Sequence, residues 1–135
     1  MNLTPYLFFK DTCEEALNFY EHCGLGKIET VNRYDKAPPE SGVSPKMGAK
    51  IMHARFKGPG VYFMASDSPR QGDGAFAGFS LSLDPATIAE AERLYDALAE
   101  GGVATMPLKK QFWGATFGML TDKFGVHWMI NCEAA

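Results

Sequence analysis

Two stretches of this 135-residue chain say nearly the same thing: GVYFMAS at residues 60–66 and GVHWMIN at residues 125–131. Repetition of this kind constrains a fold more than any composition does, because each copy must build the same unit. The echo extends upstream. TCEEALNFY (12–20) is answered by TIAEAERLY (87–95), with Thr, Glu, Ala and Tyr at the same spacing. Both segments carry apolar residues at helical intervals, Cys13, Ala16, Leu17 and Tyr20 in one and Ile88, Ala91, Tyr95 and Leu98 in the other. Both open on a Thr-x-x-Glu capping box, Thr12 with Glu15 and Thr87 with Glu90. Gly24 and the pair Gly101-Gly102 supply the stops.

A strand-like run precedes each helix, at 5–9 and 76–83. Three follow the first helix (27–34, 49–56, 61–66) and three the second (103–110, 114–121, 126–131), separated by turn signals such as Gly58-Pro59-Gly60. The order is strand, helix, three strands, written twice. It predicts one α+β domain over 1–135 made of two βαβββ modules, 1–67 and 76–135. A four-stranded sheet with one helix leaves a face uncovered, so two such modules are expected to form an open, cup-shaped mixed sheet. Residues 66–75 read as the linker. Residues 35–48, rich in Pro, Gly and Ser, are long for a connection between neighbouring strands and read equally as a flap or as slack.

Period-two alternation sorts the repeated strand. His127, Met129 and Asn131 share one face, and Trp128 and Ile130 the other. Tyr62, Met64 and Ser66 stand against Phe63 and Ala65 in the first copy. The mixed sets suit the lining of the cup, and the wholly apolar sets suit packing under a helix.

Charge excludes some partners. The net charge is −3 and no basic run exceeds Lys109-Lys110, so nucleic acid is not expected. No apolar run reaches membrane-spanning length, and the N-terminal stretch lacks the pattern of a signal peptide. Cys13, Cys23 and Cys132 have no zinc-type spacing and read as free thiols of a cytoplasmic protein.

The whole chain resembles the vicinal oxygen chelate superfamily of glyoxalases, bleomycin-resistance proteins and dioxygenases, and within it the PhnB-like branch, which carries a demethylubiquinone methyltransferase-like label. The residues that carry the resemblance are PYLFF, ALNFYEHCG, MHARF, the Ser66-Asp67 step, QFWGATFGMLTDKFGVHWMIN and the module order. The methyltransferase label finds no Gly-rich loop followed by an acidic partner to support it. In metal-using members of the superfamily, ligands come from inward positions on the first and last strands of each module. Carried across, those positions are Pro5, Met64, Gly78 and Met129. A slip of two residues brings in Leu7 or Phe9 on the first strand, and Ser80 or Ser82 on the fifth. In many relatives a D-P-x-G turn is followed four residues later by a glutamate ligand; here Asp122-Lys123-Phe124-Gly125 is followed by Met129. None of these ligand positions holds His, Asp or Glu, and Met is a soft thioether poorly suited to a hard or borderline cation, so no metal and no cofactor are expected.

The expected pocket takes Tyr6, His53, Arg55, Tyr62 and Met64 from the first module, and Trp113, Phe117, His127 and Met129 from the second. Trp113 is singled out because Gly114 beside it permits close backbone approach. Arg55 and Arg33 are the cations available to an anionic ligand. His53, His127 and Tyr62 are the candidates for acid–base work, although a strand histidine serves equally as a hydrogen-bonded pocket residue. Three functions follow: a metal-independent binder of a small apolar or aromatic molecule, a divalent-metal lyase or dioxygenase with an unusual ligand set, and a metal-free acid–base enzyme. The resemblance also implies a homodimer.

Overall fold

The computed structural model describes residues 1–36, 47–70 and 75–134. Most of the 35–48 connection and the centre of the linker lie outside the described residues. The chain forms two compact units, Met1–Ala75 and Phe76–Ala135.

In the first unit, strand β1 (Tyr6–Phe9) leads into helix α1 (Cys13–His22), followed by β2 (Lys27–Arg33), a 3-10 turn (Tyr34–Lys36), β3 (Ile51–Gly58) and β4 (Val61–Asp67). In the second, β5 (Leu81–Leu83) leads into α2 (Ile88–Ala99), then β6 (Val103–Lys110), β7 (Thr116–Thr121) and β8 (His127–Cys132). The sheet orders are β1-β4-β3-β2 and β5-β8-β7-β6. In each, the first strand pairs in parallel with the last, and the remaining neighbours are antiparallel. The repeat in the sequence is a repeat of topology.

Each helix covers one face of its sheet. Under α1 lie Leu7, Phe9, Ala54, Phe56, Phe63 and Ala65. Phe56 and Phe63 stack with ring centres 4.9 Å apart, and Tyr20 meets both edge-on. Under α2 lie Leu120, Trp128, Ile130 and Cys132. The expected alternation holds along β8 and along β4 as far as Ala65, with Tyr62, Met64, His127 and Met129 partly exposed, but Ser66 is buried with its neighbours.

Four expectations need correction. The fifth strand spans three residues rather than eight, because Gly78 takes a left-handed backbone (φ 81°) that interrupts an extended run. The seventh strand begins at Thr116, since Gly114 (φ 101°) belongs to the preceding turn. Strand β4 runs on to Asp67, and Ser66, Asp67 and Ser68 are buried, so the linker starts later than residue 66.

The fourth correction concerns the helix starts. Thr87 accepts from the Glu90 amide at 3.2 Å, but the Glu90 carboxylate turns to Arg93 (2.6 Å) rather than back to Thr87, so the second box is half made. The first box does not form. Thr12 makes no side-chain cap, and the Cys13 amide donates instead to Asp67 Oδ1 at 2.9 Å. Asp67 Oδ2 accepts from the Ile51 amide at 3.0 Å, and the Asp67 carbonyl accepts from the Tyr34 hydroxyl at 2.7 Å. One buried carboxylate thus joins the end of β4 to the starts of α1 and β3.

Candidate functional site

Alternation leaves one face of each sheet without its own helix, and strand pairing decides which side chains meet there. In the first unit Met64 is flanked by Tyr6 on β1 and Arg55 on β3. The first-strand positions on this face are Tyr6 and Phe8. Tyr6 is thus on the expected pocket face, whereas Leu7 and Phe9, two of the first-strand positions that the resemblance offers for a metal ligand beside Pro5, pack under α1. In the second unit Met129 is flanked by Ser82 on β5 and Met119 on β7. Ser82 is one of the two serines a slip from Gly78 would bring in, and Gly78 itself lies outside the strand.

The Tyr6 hydroxyl lies 3.0 Å from His53 Nδ1. The Tyr6 ring also stands 4.8 Å from Phe8, a ring that the expected pocket did not include. Arg55 is exposed, and Tyr62 is 40% exposed. The phenol joined to His53 is therefore Tyr6, whereas Tyr62 pairs across the hairpin with Lys57. Arg33 is committed elsewhere. Its guanidinium donates to Glu14 at 2.6 Å and to the Ala49 carbonyl at 2.8 Å, which holds the Glu14 carboxyl below the usual carboxylate range.

On the second sheet an open concavity of about 540 Å³ is lined by Phe79, Ser80, Thr105, Met119, Thr121, His127 and Met129, among others. It brings together His127 and Met129. Phe79, at 49% exposed, and Met119 are further lining groups that the sequence did not single out. Both nitrogens of His127 are engaged, Nδ1 with Thr121 Oγ1 at 2.8 Å and Nε2 with the Phe76 carbonyl at 2.9 Å. A carbonyl only accepts, so Nε2 carries a proton and a neutral ring accepts from Thr121 at Nδ1. Trp113 (53% exposed), in the β6–β7 turn, and Phe117 on β7 meet at 6.0 Å at that end of the same sheet. A side chain at Gly114 would meet nothing within 4 Å. Backbone conformation, not close approach, explains that glycine.

Asp122 and the three cysteines lie in the packed interior. Asp122 accepts from the Phe124 and Val126 amides and from Trp128 Nε1, the last at 2.8 Å, and so closes the turn before β8. All three cysteines are buried and free. Burial, then the nearby Asp67 and Glu14 carboxylates, push the Cys13 thiol far above the usual range, which disfavours the nucleophilic thiolate.

The positions that flank the two central methionines can be tested against a divalent cation. Tyr6, Met64, Ser82 and Met129 supply two neutral hydroxyls and two thioethers but no imidazole or carboxylate, a poor set for a divalent ion. Among the described residues no three His, Cys, Asp or Glu side chains are grouped to hold a metal. A nucleotide-type methyl donor fits no better. It calls for a Gly-rich turn opening onto free helix amides, whereas β1 runs through Lys10-Asp11-Thr12 into a helix whose first amide is taken by Asp67. No helix among the described residues is long and apolar enough to cross a membrane.

Two βαβββ units with these sheet orders define the glyoxalase/bleomycin-resistance fold. A glyoxalase/bleomycin resistance protein from Albidiferax ferrireducens superposes with a TM-score of 0.63 at 16% identity, over 98% of each chain, a likeness of fold alone. The family described as 3-demethylubiquinone-9 3-methyltransferase matches over residues 1–131, and the chain belongs to it as a PhnB-like member. The chain is 34% identical to protein YjdN of Escherichia coli, covering 97% of this chain and 95% of that one. Protein PA1353 from Pseudomonas aeruginosa has a TM-score of 0.86 at 42% identity over 98% of each chain. A PhnB protein from Bacillus cereus gives 0.82 at 31%, over 98% of this chain and 99% of that one.

Proposed function

We propose that this PhnB-like protein binds a small apolar or aromatic molecule on the helix-free faces of its sheets, without a divalent metal centre. One observation carries the reading. The residues that flank Met64 and Met129 on these faces supply one phenol, one alcohol, one thioether and one guanidinium, which recognise a molecule by contact and hydrogen bonding rather than by coordination. The concavity of about 540 Å³ on the second sheet is of the size such a ligand needs. A cytoplasmic homodimer completes the proposal.

The test is a thermal-shift screen against dicarbonyls, catechols and aromatic antibiotics, with elemental analysis of protein made in metal-rich medium. An aromatic hit at about 100 times its Kd adds about 2.7 kcal/mol to folding stability. That hit is expected with metal well below one equivalent. Stoichiometric Ni, Zn, Mn or Fe held by protein nitrogen or oxygen overturns the reading in favour of a metal-dependent lyase or dioxygenase.

The Tyr6–His53 pair favours a second reading, a metal-free acid–base enzyme, because a phenol on one imidazole nitrogen leaves the other free to move a proton. Turnover that vanishes in a folded His53→Ala variant would establish it. Retention of turnover in that variant removes it.

A further inference from the structure

The two halves share a topology but not a chemistry. In the row through Met129 the flanking residues are Ser82 and Met119, both uncharged. In the corresponding row through Met64 they are Tyr6 and Arg55. His53 lies two residues from Arg55 on β3, on the same face, with Cα atoms roughly 7 Å apart.

Arg33, the other arginine of that sheet, is neutralised by Glu14 at 2.6 Å. Arg55 has no hydrogen-bond or ion-pair partner among the described residues. The Asp67 carboxylate is directed to the amides of Cys13 and Ile51. His53 is held at Nδ1 by the Tyr6 hydroxyl, and its Nε2 has no partner among the described residues. When Tyr6 donates to Nδ1, the imidazole proton sits on Nε2. The face then offers an N–H donor and a planar guanidinium fork beside a thioether and a pair of rings.

We infer that this face of the first sheet is a recognition site for the carboxylate of a small aromatic or unsaturated organic acid. Arg55 and His53 Nε2 take the two oxygens, and the apolar body lies against Met64 and Tyr6, beside a Phe8 ring that the Arg70 guanidinium overlies at 5.6 Å. A guanidinium fork matches a carboxylate in plane and in spacing, and such charge-assisted bonds are roughly twice as strong as neutral ones. The inference rests on the small-molecule reading above and narrows it to one ligand class on one half of the chain.

The test titrates benzoate and cinnamate, with benzamide and cinnamamide as uncharged counterparts. The His53 ring proton and the methionine methyls are followed by NMR. The expected result is a saturable His53 shift with the acids and at least about tenfold weaker binding of the amides. Arg55→Gln and His53→Gln should each weaken the acids about tenfold without moving the amides. Arg55→Lys should restore part of the loss, because the charge remains while the fork is gone. Amide spectra of the variants establish that they fold.

Equal affinity for acid and amide, an Arg55→Gln variant that binds the acids unchanged, or no saturable shift with either acid overturns the inference. Amides that shift only the Met119 and Met129 methyls also overturn it, yet leave the broader small-molecule reading standing. That reading fails separately, through its own screen and metal analysis.

Discussion

Asp67 takes the capping role that local sequence assigns to Thr12. Thr12-x-x-Glu15 carries the same capping signal as Thr87-x-x-Glu90, yet only Thr87 caps its helix. The first helix is capped by a carboxylate 54 residues away in the chain, and no reading of nearest neighbours reveals that. Removing the Asp67 side chain leaves the buried amides of Cys13 and Ile51 unpaired, at roughly 1–3 kcal/mol each before relaxation. Asp67→Ala is therefore expected to cost about 2–4 kcal/mol, Thr87→Ala about 1 kcal/mol, and Thr12→Ala no more than about 0.5 kcal/mol. Urea midpoints of the three variants, at constant m, give the order. Equal losses for Thr12 and Thr87 would show that both boxes close in solution. The candidate site has the same limit. His53, Met64 and Arg55 were legible one by one, but the meeting of Tyr6 with His53 depends on parallel pairing of β1 with β4, which only the fold supplies.

At the scale of elements, strand faces were the most legible feature, because period-two alternation needs no knowledge of partners. Trp128 and Ile130 fall under the helix, with His127 and Met129 opposite, as their order in the chain dictates. Strand ends were less legible where glycine conformation intervenes, as at Gly78 and Gly114. Gly118 shows a different use of glycine. A Cβ there would sit 2.8 Å from both Leu108 Cα and Tyr95 Cε2. The Tyr95 hydroxyl reaches the carbonyls of Met106 and Met119, 3.0 Å from each, so the ring is fixed from the far end and has little room to yield. Gly118→Ala is expected to destabilise by about 1–3 kcal/mol through overpacking. Gly114→Ala meets no atom, and its cost of about 1 kcal/mol comes from backbone conformation alone. Paired denaturation curves test this order, with a double change to Gly118→Ala and Tyr95→Leu expected to recover part of the larger loss.

For the whole molecule, the duplication made the architecture readable, since two weak signals at one spacing reinforce each other. It also guided the comparison of Met64 with Met129, and the flanking rows then separated the halves chemically. The proposed homodimer predicts a light-scattering mass near twice the 14.8 kDa of one chain, independent of loading across the micromolar range. A mass of one chain at those concentrations rejects it. The buried Asp67 has one more consequence. In the second half, separate residues perform comparable duties, Thr87 at the helix and Asp122 at the final turn, so that injury to one spares the other. In the first half one carboxylate, Asp67, holds the starts of both α1 and β3. A substitution at this one position therefore loosens a helix and a strand together.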